Sequence, residues 1–158
     1  RYFNAAGYDI DGEIFGLEKE PNNLIPIMLE TIIGKREEVM VFGSDYDTDD
    51  GSCIRDYIHV NDLAEAHLSA LGYLKSQNLN LVVNLGTSKG LSVLELLRIA
   101  RKVSGTEFKY TLGPRRAGDP AVVLAEAGLA EKLLEWTPKH SDAETLLETS
   151  LRAYRKIT

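Results

Sequence analysis

Patterns typical of helices and of strands alternate along the whole of this chain, and this alternation restricts its fold more than any other feature. Apolar residues recur at helical spacing in residues 23–33, 62–75, 92–103, 129–135 and 142–156. Short β-branched or apolar runs, typical of strands, lie between them at residues 39–43, 53–60, 81–85, 108–112 and 122–125. A helical bundle and a β-sandwich are both excluded, and the predicted fold class is α/β, with a mixed α+β arrangement.

Helix starts are indicated by polar residues that can accept hydrogen bonds from free backbone N–H groups. Ser92 with Glu95 and Ser141 with Glu144 form capping boxes before the third and the last helix. Asn61 is predicted to cap the second helix.

Length and charge narrow the class of protein. The chain has 158 residues, of which 44% are hydrophobic, which predicts one domain with its own core. A net charge of −6 argues against nucleic acid and anionic membranes as partners. The only cysteine, Cys53, excludes an intrachain disulfide and is predicted to be a buried apolar residue. Without a membrane-spanning run or a signal peptide, we expect a soluble, cytoplasmic protein.

Metal binding is not predicted. The acidic loop 44–52 has acidic residues at alternate positions, as a calcium loop does, at Asp45, Asp47 and Asp49. Asp50, however, occupies the position where such a loop needs glycine, so we expect a solvated acidic binding loop instead. His59 and His67 do not share a helix face, so they are interpreted as structural residues with polar partners.

The motifs of a complete dehydrogenase are missing from the sequence. Its glycines never fall into G-x-x-G-x-x-G or G-x-G-x-x-G, and no tyrosine is followed by lysine at Y-x-x-x-K spacing. No P-loop and no H-E-x-x-H are present. No catalytic residue is therefore assigned. The chain also starts on Arg1 in a strand-like stretch, so we expect it to be a piece of something longer.

Three arginines are candidates for binding an anion. Arg115 and Arg116 lie in a loop rich in glycine and proline, where guanidinium groups can bind phosphate oxygens in bidentate fashion. Arg55 lies on a predicted strand. For each, a surface ion pair is the alternative interpretation.

Residues 53–64 contain the run R-D-Y-I-H-V-N-D-L-A, which strongly resembles the signature of the extended short-chain dehydrogenase/reductase family. Further stretches narrow the resemblance to its UDP-glucose 4-epimerase branch: residues 1–7, 21–26, 41–43, 45–51, 84–87 and 113–119. The resemblance covers the whole chain and corresponds to the C-terminal, substrate-binding half of those enzymes.

Members of that branch are isomerases that interconvert UDP-glucose and UDP-galactose through an NAD-dependent 4-keto intermediate. The resemblance implies that residues 1–158 form a single UDP-sugar-binding domain. NAD and the tyrosine base would belong to an N-terminal Rossmann domain that this chain lacks, so the chain alone would be inactive. Surfaces that normally meet that domain would be exposed and would promote self-association into a homo-oligomer.

The resemblance also assigns roles to individual residues. Tyr2 and Phe3 match aromatics beside the nicotinamide of NAD, and Asn4 matches an asparagine that reaches the diphosphate or sugar. An N-N-L run matches the head of a helix that contacts the nucleotide sugar: Asn22, Asn23 and Leu24.

The remaining assignments concern uracil, phosphates and sugar. A short strand matches the uracil-contacting segment, formed by Met40, Val41 and Phe42, although Met40 departs from the usual residue and would contribute its backbone. Arg55 and Arg116 match the two arginines on the diphosphate, and Asp119 matches an acid near the ribose hydroxyls. Val123 matches a variable residue beside the hexose pocket, and its size leaves N-acetylated sugars open.

Two other functions remain open at this stage. The chain could be a freestanding UDP-sugar-binding module, or a fragment of another nucleotide-sugar epimerase or dehydratase of the same superfamily. Upstream sequence with the two missing motifs would favour the epimerase half, and substrate preference would identify a sister enzyme.

Overall fold

A computed structural model describes residues 1–157 of the chain, and the mixed α/β architecture predicted from the sequence is confirmed. The helices are α1 (Leu24–Ile32), α2 (Val60–Gln77), α3 (Val93–Ser104), α4 (Gly128–Leu134) and α5 (Ala143–Ile157). The strands are β1 (Asn4–Ala6), β2 (Glu38–Phe42), β3 (Ile54–Arg55), β4 (Tyr57–His59), β5 (Leu91–Ser92), β6 (Lys109–Gly113) and β7 (Val122–Val123).

The strands form three small sheets that bring distant parts of the chain together. β1 pairs with β4 and β2 pairs with β6, both in parallel. In the third sheet β3 lies between β5, which is antiparallel to it, and β7, which is parallel. This register places Arg55 directly beside Val123, two of the residues that the sequence marks for substrate binding.

The helices and strands pack around two clusters of buried apolar side chains. The larger joins α1, α3 and α5 to β2, and its most buried side chains include Met28, Leu96, Leu146 and Tyr154. The smaller surrounds Trp136 and packs α2 against α4. No helix in residues 1–157 is long and apolar enough to cross a membrane.

The predicted strand at residues 53–60 is wrong as a single strand. It is divided into β3 and β4, which belong to different sheets, and Asp56 lies between them. The Asp56 carboxylate points inward to backbone N–H groups of other segments, which a regular strand residue at this position would leave unpaired.

The predicted strand at residues 81–85 is also absent. Within residues 1–157, the hydrogen bonds of this segment are those with Arg1: the terminal amine donates to the Val83 carbonyl at 2.7 Å and Leu85 N–H donates to the Arg1 carbonyl at 2.7 Å. Two bonds to one residue do not make the repeated ladder that defines a strand pair.

Two of the three predicted helix caps differ from the structure. Ser92 caps α3 by accepting the Glu95 N–H, as predicted. The cap of α2 is the His59 side chain rather than Asn61, whose own N–H donates to it. At α5 the Asp142 carboxylate accepts the Thr145 N–H at 2.9 Å, in the role predicted for Ser141. The Ser141 hydroxyl has other partners: it accepts the His59 N–H at 2.8 Å and donates to the Asp62 carboxylate.

Candidate functional site

Arg55 is held in one orientation by three acceptors. Its guanidinium donates to the carbonyls of Ile54 and Pro120 at 2.8 and 3.0 Å and to the Asp119 carboxylate at 2.8 Å. The side chain is only 13% exposed. Because bonds to fixed backbone groups remove rotamer freedom, this guanidinium is positioned before any ligand arrives. Arg55 and Asp119, predicted as separate contacts, are thus one ion pair.

Arg116 packs against an aromatic ring, that of Phe42. Its guanidinium carbon is 3.9 Å from the centre of the Phe42 ring, which is a cation–π contact. None of the ion pairs found among residues 1–157 involves Arg116, so its charge is not neutralised by a neighbouring carboxylate. The loop 113–120 and β2 therefore present a cation on an aromatic surface.

Asp119 links the two arginines, because its carboxylate pairs with Arg55 at 2.8 Å and its N–H donates to the Arg116 carbonyl at 3.2 Å. The Cys53 thiol lies near all three charged groups. Cys53 is buried, as predicted. Burial raises the pKa of its thiol, while Arg55 and Arg116 lower it and Asp119 raises it further. All three charged groups therefore act on one sulfur atom. We call Phe42, Arg55, Arg116, Asp119 and Val123 the arginine cluster.

Arg115, in contrast, is bonded to the acidic loop. Its Nε donates to the Asp45 carboxylate at 2.7 Å, Nη2 bonds to the Asp45 carbonyl, and the guanidinium stacks 4.3 Å from the Tyr46 ring. The hydrogen bond from Arg115 lowers the pKa of the Asp45 carboxyl. Arg115 ties the loop 113–120 to the acidic loop.

The sequence predicts a solvated acidic loop, but one of its carboxylates, that of Asp50, makes hydrogen bonds inside the protein. The Asp50 carboxylate accepts the Ser52 N–H at 3.0 Å and the Ser52 hydroxyl at 2.6 Å, and it also bonds to the Ser92 hydroxyl. These bonds anchor the loop to the start of α3. In the part of the chain that the structure describes, no group of three or more potential ligand side chains can hold a metal ion.

A cleft with a volume of about 720 Å³ is formed by β1, α1, Tyr57 and the start of α2, and none of the five residues of the arginine cluster is among the described residues that line it. Its lining includes four predicted site residues: Phe3, Asn4, Asn23 and Leu24. Asn23 occupies the cap position of α1, but its side chain makes no capping bond there, so the amide remains exposed. The Asn4 amide donates to the Asp56 carbonyl at 2.9 Å. Because Asp56 follows Arg55, this bond links the cleft to the arginine cluster.

Four predicted contacts lie outside both groups. Tyr2 is 51% exposed and Asn22 is exposed, and neither lines the cleft. Met40 is also exposed, on β2, two residues before Phe42. Val41 is buried in the larger core, so its side chain is not accessible and only its backbone is left for a ligand.

Sequence reasoning missed two residues of this region. Asp56 is 2% exposed and accepts four hydrogen bonds, although only the neighbouring arginine of the R-D-Y run was assigned a role. Tyr57 lines the cleft, and burial raises the pKa of its hydroxyl well above the usual range. A buried carboxylate in the middle of an apolar run was the signal that could have identified Asp56.

In the part of the chain that the structure describes, the junctions at which a strand leads directly into a helix do not fit a dinucleotide pyrophosphate. Two strands lead directly into helices, β4 into α2 and β5 into α3. In each helix one N–H group of the first turn is already bonded to a side chain, that of Asn61 to His59 and that of Glu95 to Ser92. No glycine occupies either junction, so the backbone there does not allow the close approach that a pyrophosphate needs.

A family profile described as "Epimerase: NAD dependent epimerase/dehydratase family" matches residues 1–86. Two curated relatives are named UDP-glucose 4-epimerase. The one from Halalkalibacterium halodurans is 47% identical over 94% of this chain and 44% of its own length. The one from Lacticaseibacillus casei is 43% identical over 95% of this chain and 45% of its own length. The chain thus spans less than half the length of the relatives it matches.

Two solved structures likewise match nearly all of this chain with less than half of their own length. A UDP-glucose 4-epimerase from Stenotrophomonas maltophila, with bound NAD and formylated UDP-arabinopyranose, has a TM-score of 0.95 and 40% identity over 99% of this chain and 47% of its own. The enzyme from Bifidobacterium longum, in complex with NAD⁺ and UDP, has a TM-score of 0.88 and 38% identity over 99% of this chain and 46% of its own.

Proposed function

This chain belongs to the NAD-dependent epimerase/dehydratase family, and on that premise we propose that it is the nucleotide-sugar-binding part of a UDP-glucose 4-epimerase. In this proposal residues 1–158 form one substrate-binding domain, which holds the UDP group of UDP-glucose and UDP-galactose. The chain carries no catalytic residue and is inactive alone.

The observation that carries the proposal is the arginine cluster. It contains two guanidinium groups but only one carboxylate: Asp119 pairs with Arg55, while Arg116 rests on Phe42. The cluster is therefore locally positive in a chain whose net charge is −6. Guanidinium groups fixed in this way suit the paired oxygens of a diphosphate.

Residues outside the two arginines are proposed to bind the uracil and the sugar groups of the nucleotide sugar. β2 bonds to β6 along one edge, and the segment 40–42 next to Arg116 is the proposed contact for uracil. The cleft of about 720 Å³ is within the range of small-molecule sites, and the Asn4 and Asn23 amides supply polar groups at its wall for the sugar. Val123, beside Arg55, borders the hexose.

NAD is the proposed cofactor of the complete enzyme, where it supplies the oxidation and reduction of the sugar. The strand-to-helix junctions described above do not fit its pyrophosphate, so no step of that chemistry is assigned to this chain. Phe3 at the mouth of the cleft, with Tyr2 beside it in sequence, is proposed to border the nicotinamide from the substrate side.

A second domain is the proposed partner. β1 and β4 form a parallel pair of only three residues each, and an isolated two-stranded sheet is marginally stable. The adjoining Tyr2 and Phe3 are about half exposed. We expect an NAD-binding domain to extend this sheet and cover the two rings, and without it this surface would favour self-association.

The proposal is tested by calorimetric titration of the chain with UDP. Replacing Arg116 with alanine removes one charge-assisted interaction and is expected to weaken UDP binding by about tenfold or more. Arg98→Ala is the matched control, because it removes the same charge from a side chain that is 69% exposed on α3. We expect the control to bind UDP within about twofold of the unchanged chain. A folded chain that binds no UDP, or equal losses in both variants, would overturn the proposal.

A further inference from the structure

The Asp56 carboxylate connects three segments of the chain. Oδ1 accepts the Thr87 N–H at 2.9 Å and the Thr87 hydroxyl at 2.7 Å. Oδ2 accepts the Ser88 N–H at 3.0 Å and the Ala125 N–H at 3.1 Å. None of the ion pairs among residues 1–157 includes Asp56, so its charge is satisfied by hydrogen bonds alone.

The backbone of the same residue holds the proposed ligand contacts. Its N–H donates to the Val123 carbonyl at 3.1 Å, and its carbonyl accepts the Asn4 amide at 2.9 Å. Arg55 directly precedes it. One residue thus joins a diphosphate contact, a sugar contact and the wall of the hexose pocket, which come from three separate stretches of sequence.

The space around the carboxylate is closed. A Cβ added to Gly86 would lie 2.5 Å from the Ala125 Cβ and 2.7 Å from Asp56 Oδ2. The turn that carries Thr87 and Ser88 therefore fits against Asp56 only with glycine at this position. Such close packing leaves the carboxylate little freedom to move.

We propose that Asp56 is a positioning residue for nucleotide-sugar binding, one that sets Arg55, Asn4 and Val123 at fixed distances from one another. The inference rests on the proposed function, since it concerns the same ligand. Asp56 does not touch the ligand; it acts through the residues bonded to its backbone and through the two segments held by its carboxylate.

Asp62 provides a matched comparison within the chain. It is also fully buried, and its carboxylate also accepts backbone N–H groups, from Lys139 at 2.9 Å and His140 at 3.0 Å. Its carbonyl accepts the Trp136 indole N–H in the smaller core, and none of its hydrogen bonds reaches a proposed ligand contact. A purely structural role would make Asp56 and Asp62 equivalent in any binding assay.

The experiment compares Asp56→Asn with Asp62→Asn in the whole chain. In Asp56→Asn an amide nitrogen placed at either oxygen site meets a backbone N–H, so both orientations of the side chain disturb the turn or β7. Thermal unfolding measures the stability lost by each variant. Calorimetry then measures binding of UDP and of uridine, which lacks the phosphates that Arg55 contacts.

Asp56→Asn is expected to weaken UDP binding by about tenfold while uridine affinity changes by about twofold or less. Asp62→Asn is expected to lose similar stability with both affinities unchanged. An unchanged ratio of UDP to uridine affinity in Asp56→Asn would overturn the positioning role. Absence of UDP binding by the unchanged, folded chain would instead overturn the proposed function.

A measurement without ligand tests the positioning role of Asp56 independently of whether the chain binds UDP. The side-chain amide of Asn4 and the Nε–H of Arg55 are observed by ¹⁵N NMR. Both signals are expected to shift in Asp56→Asn and to stay in place in Asp62→Asn. If the Asp56→Asn signals do not move, the positioning role is wrong whether or not any nucleotide binds.

Discussion

His59 makes the stability of this protein sensitive to mildly acidic pH. The side chain is fully buried, Nδ1 accepts the Asn61 N–H at 3.1 Å, and Nε2 lies 3.1 Å from the Thr149 hydroxyl. Because Nδ1 accepts a bond, the ring proton is on Nε2, which donates to Thr149. A second proton, on Nδ1, would face the Asn61 N–H and remove the cap of α2.

The pKa of His59 is accordingly lowered, first by burial and also by His140, against the opposing effect of Asp62, Asp142 and Asp9. The unfolded chain then takes up a proton first as the pH falls below about 6.5, which favours unfolding. The slope is at most about 1.4 kcal/mol per pH unit.

We therefore expect the free energy of unfolding to fall between pH 7 and about pH 5.5, by at most about 1 kcal/mol. Urea unfolding followed by the fluorescence of the single tryptophan, the buried Trp136, measures it. The carboxyl groups of Asp9, Asp45 and Asp142 have lowered pKa values, so their stabilisation is lost only below about pH 4. Their titration lies outside this interval.

His59→Asn separates the histidine from other sources of pH dependence. An asparagine oxygen accepts the Asn61 N–H but does not titrate, so the variant, although less stable, should show a flat profile between about pH 5 and 7. His67→Asn replaces an exposed histidine on α2 and should keep the original slope. The reasoning is refuted if His59→Asn retains the pH dependence of the unchanged chain.

Two glycines lead to opposite predictions for the same unfolding assay. Gly72 lies within α2 with no atom within 4 Å of an added Cβ, so Gly72→Ala should raise the free energy of unfolding by about 0.5–1 kcal/mol. Gly43 has a φ of +84° and its added Cβ would collide with the Tyr46 ring, so Gly43→Ala should lower it by about 1–3 kcal/mol. Equal effects, or effects in the reverse order, would contradict this account of the backbone.

The sequence predicts best what neighbouring residues decide. α1 and α3 follow from apolar spacing, and the cap at Ser92 follows from Glu95 three positions later. The α2 cap was missed because the side chain that makes it, His59, is not among the usual capping residues. Helix and strand types were thus largely predictable, whereas their exact ends were not.

Long-range pairing explains the remaining errors. The strand at 53–60 divides at Asp56 because Thr87, Ser88 and Ala125, all distant in sequence, supply the donors for its carboxylate. Composition treats Arg115 and Arg116 alike, and the resemblance assigns only Arg116 to the diphosphate. The contact of Arg115 with Asp45, 70 residues away, distinguishes the two side chains in the structure. Which of two adjacent side chains remains available to a ligand is decided by tertiary contacts.

A crystal structure of the chain with UDP tests the central claim most directly. The account predicts diphosphate oxygens within hydrogen-bond distance of both Arg55 and Arg116, with uracil against residues 40–42. A diphosphate bound elsewhere, with neither arginine in contact, would contradict it, as would a folded chain that holds no nucleotide at saturating UDP.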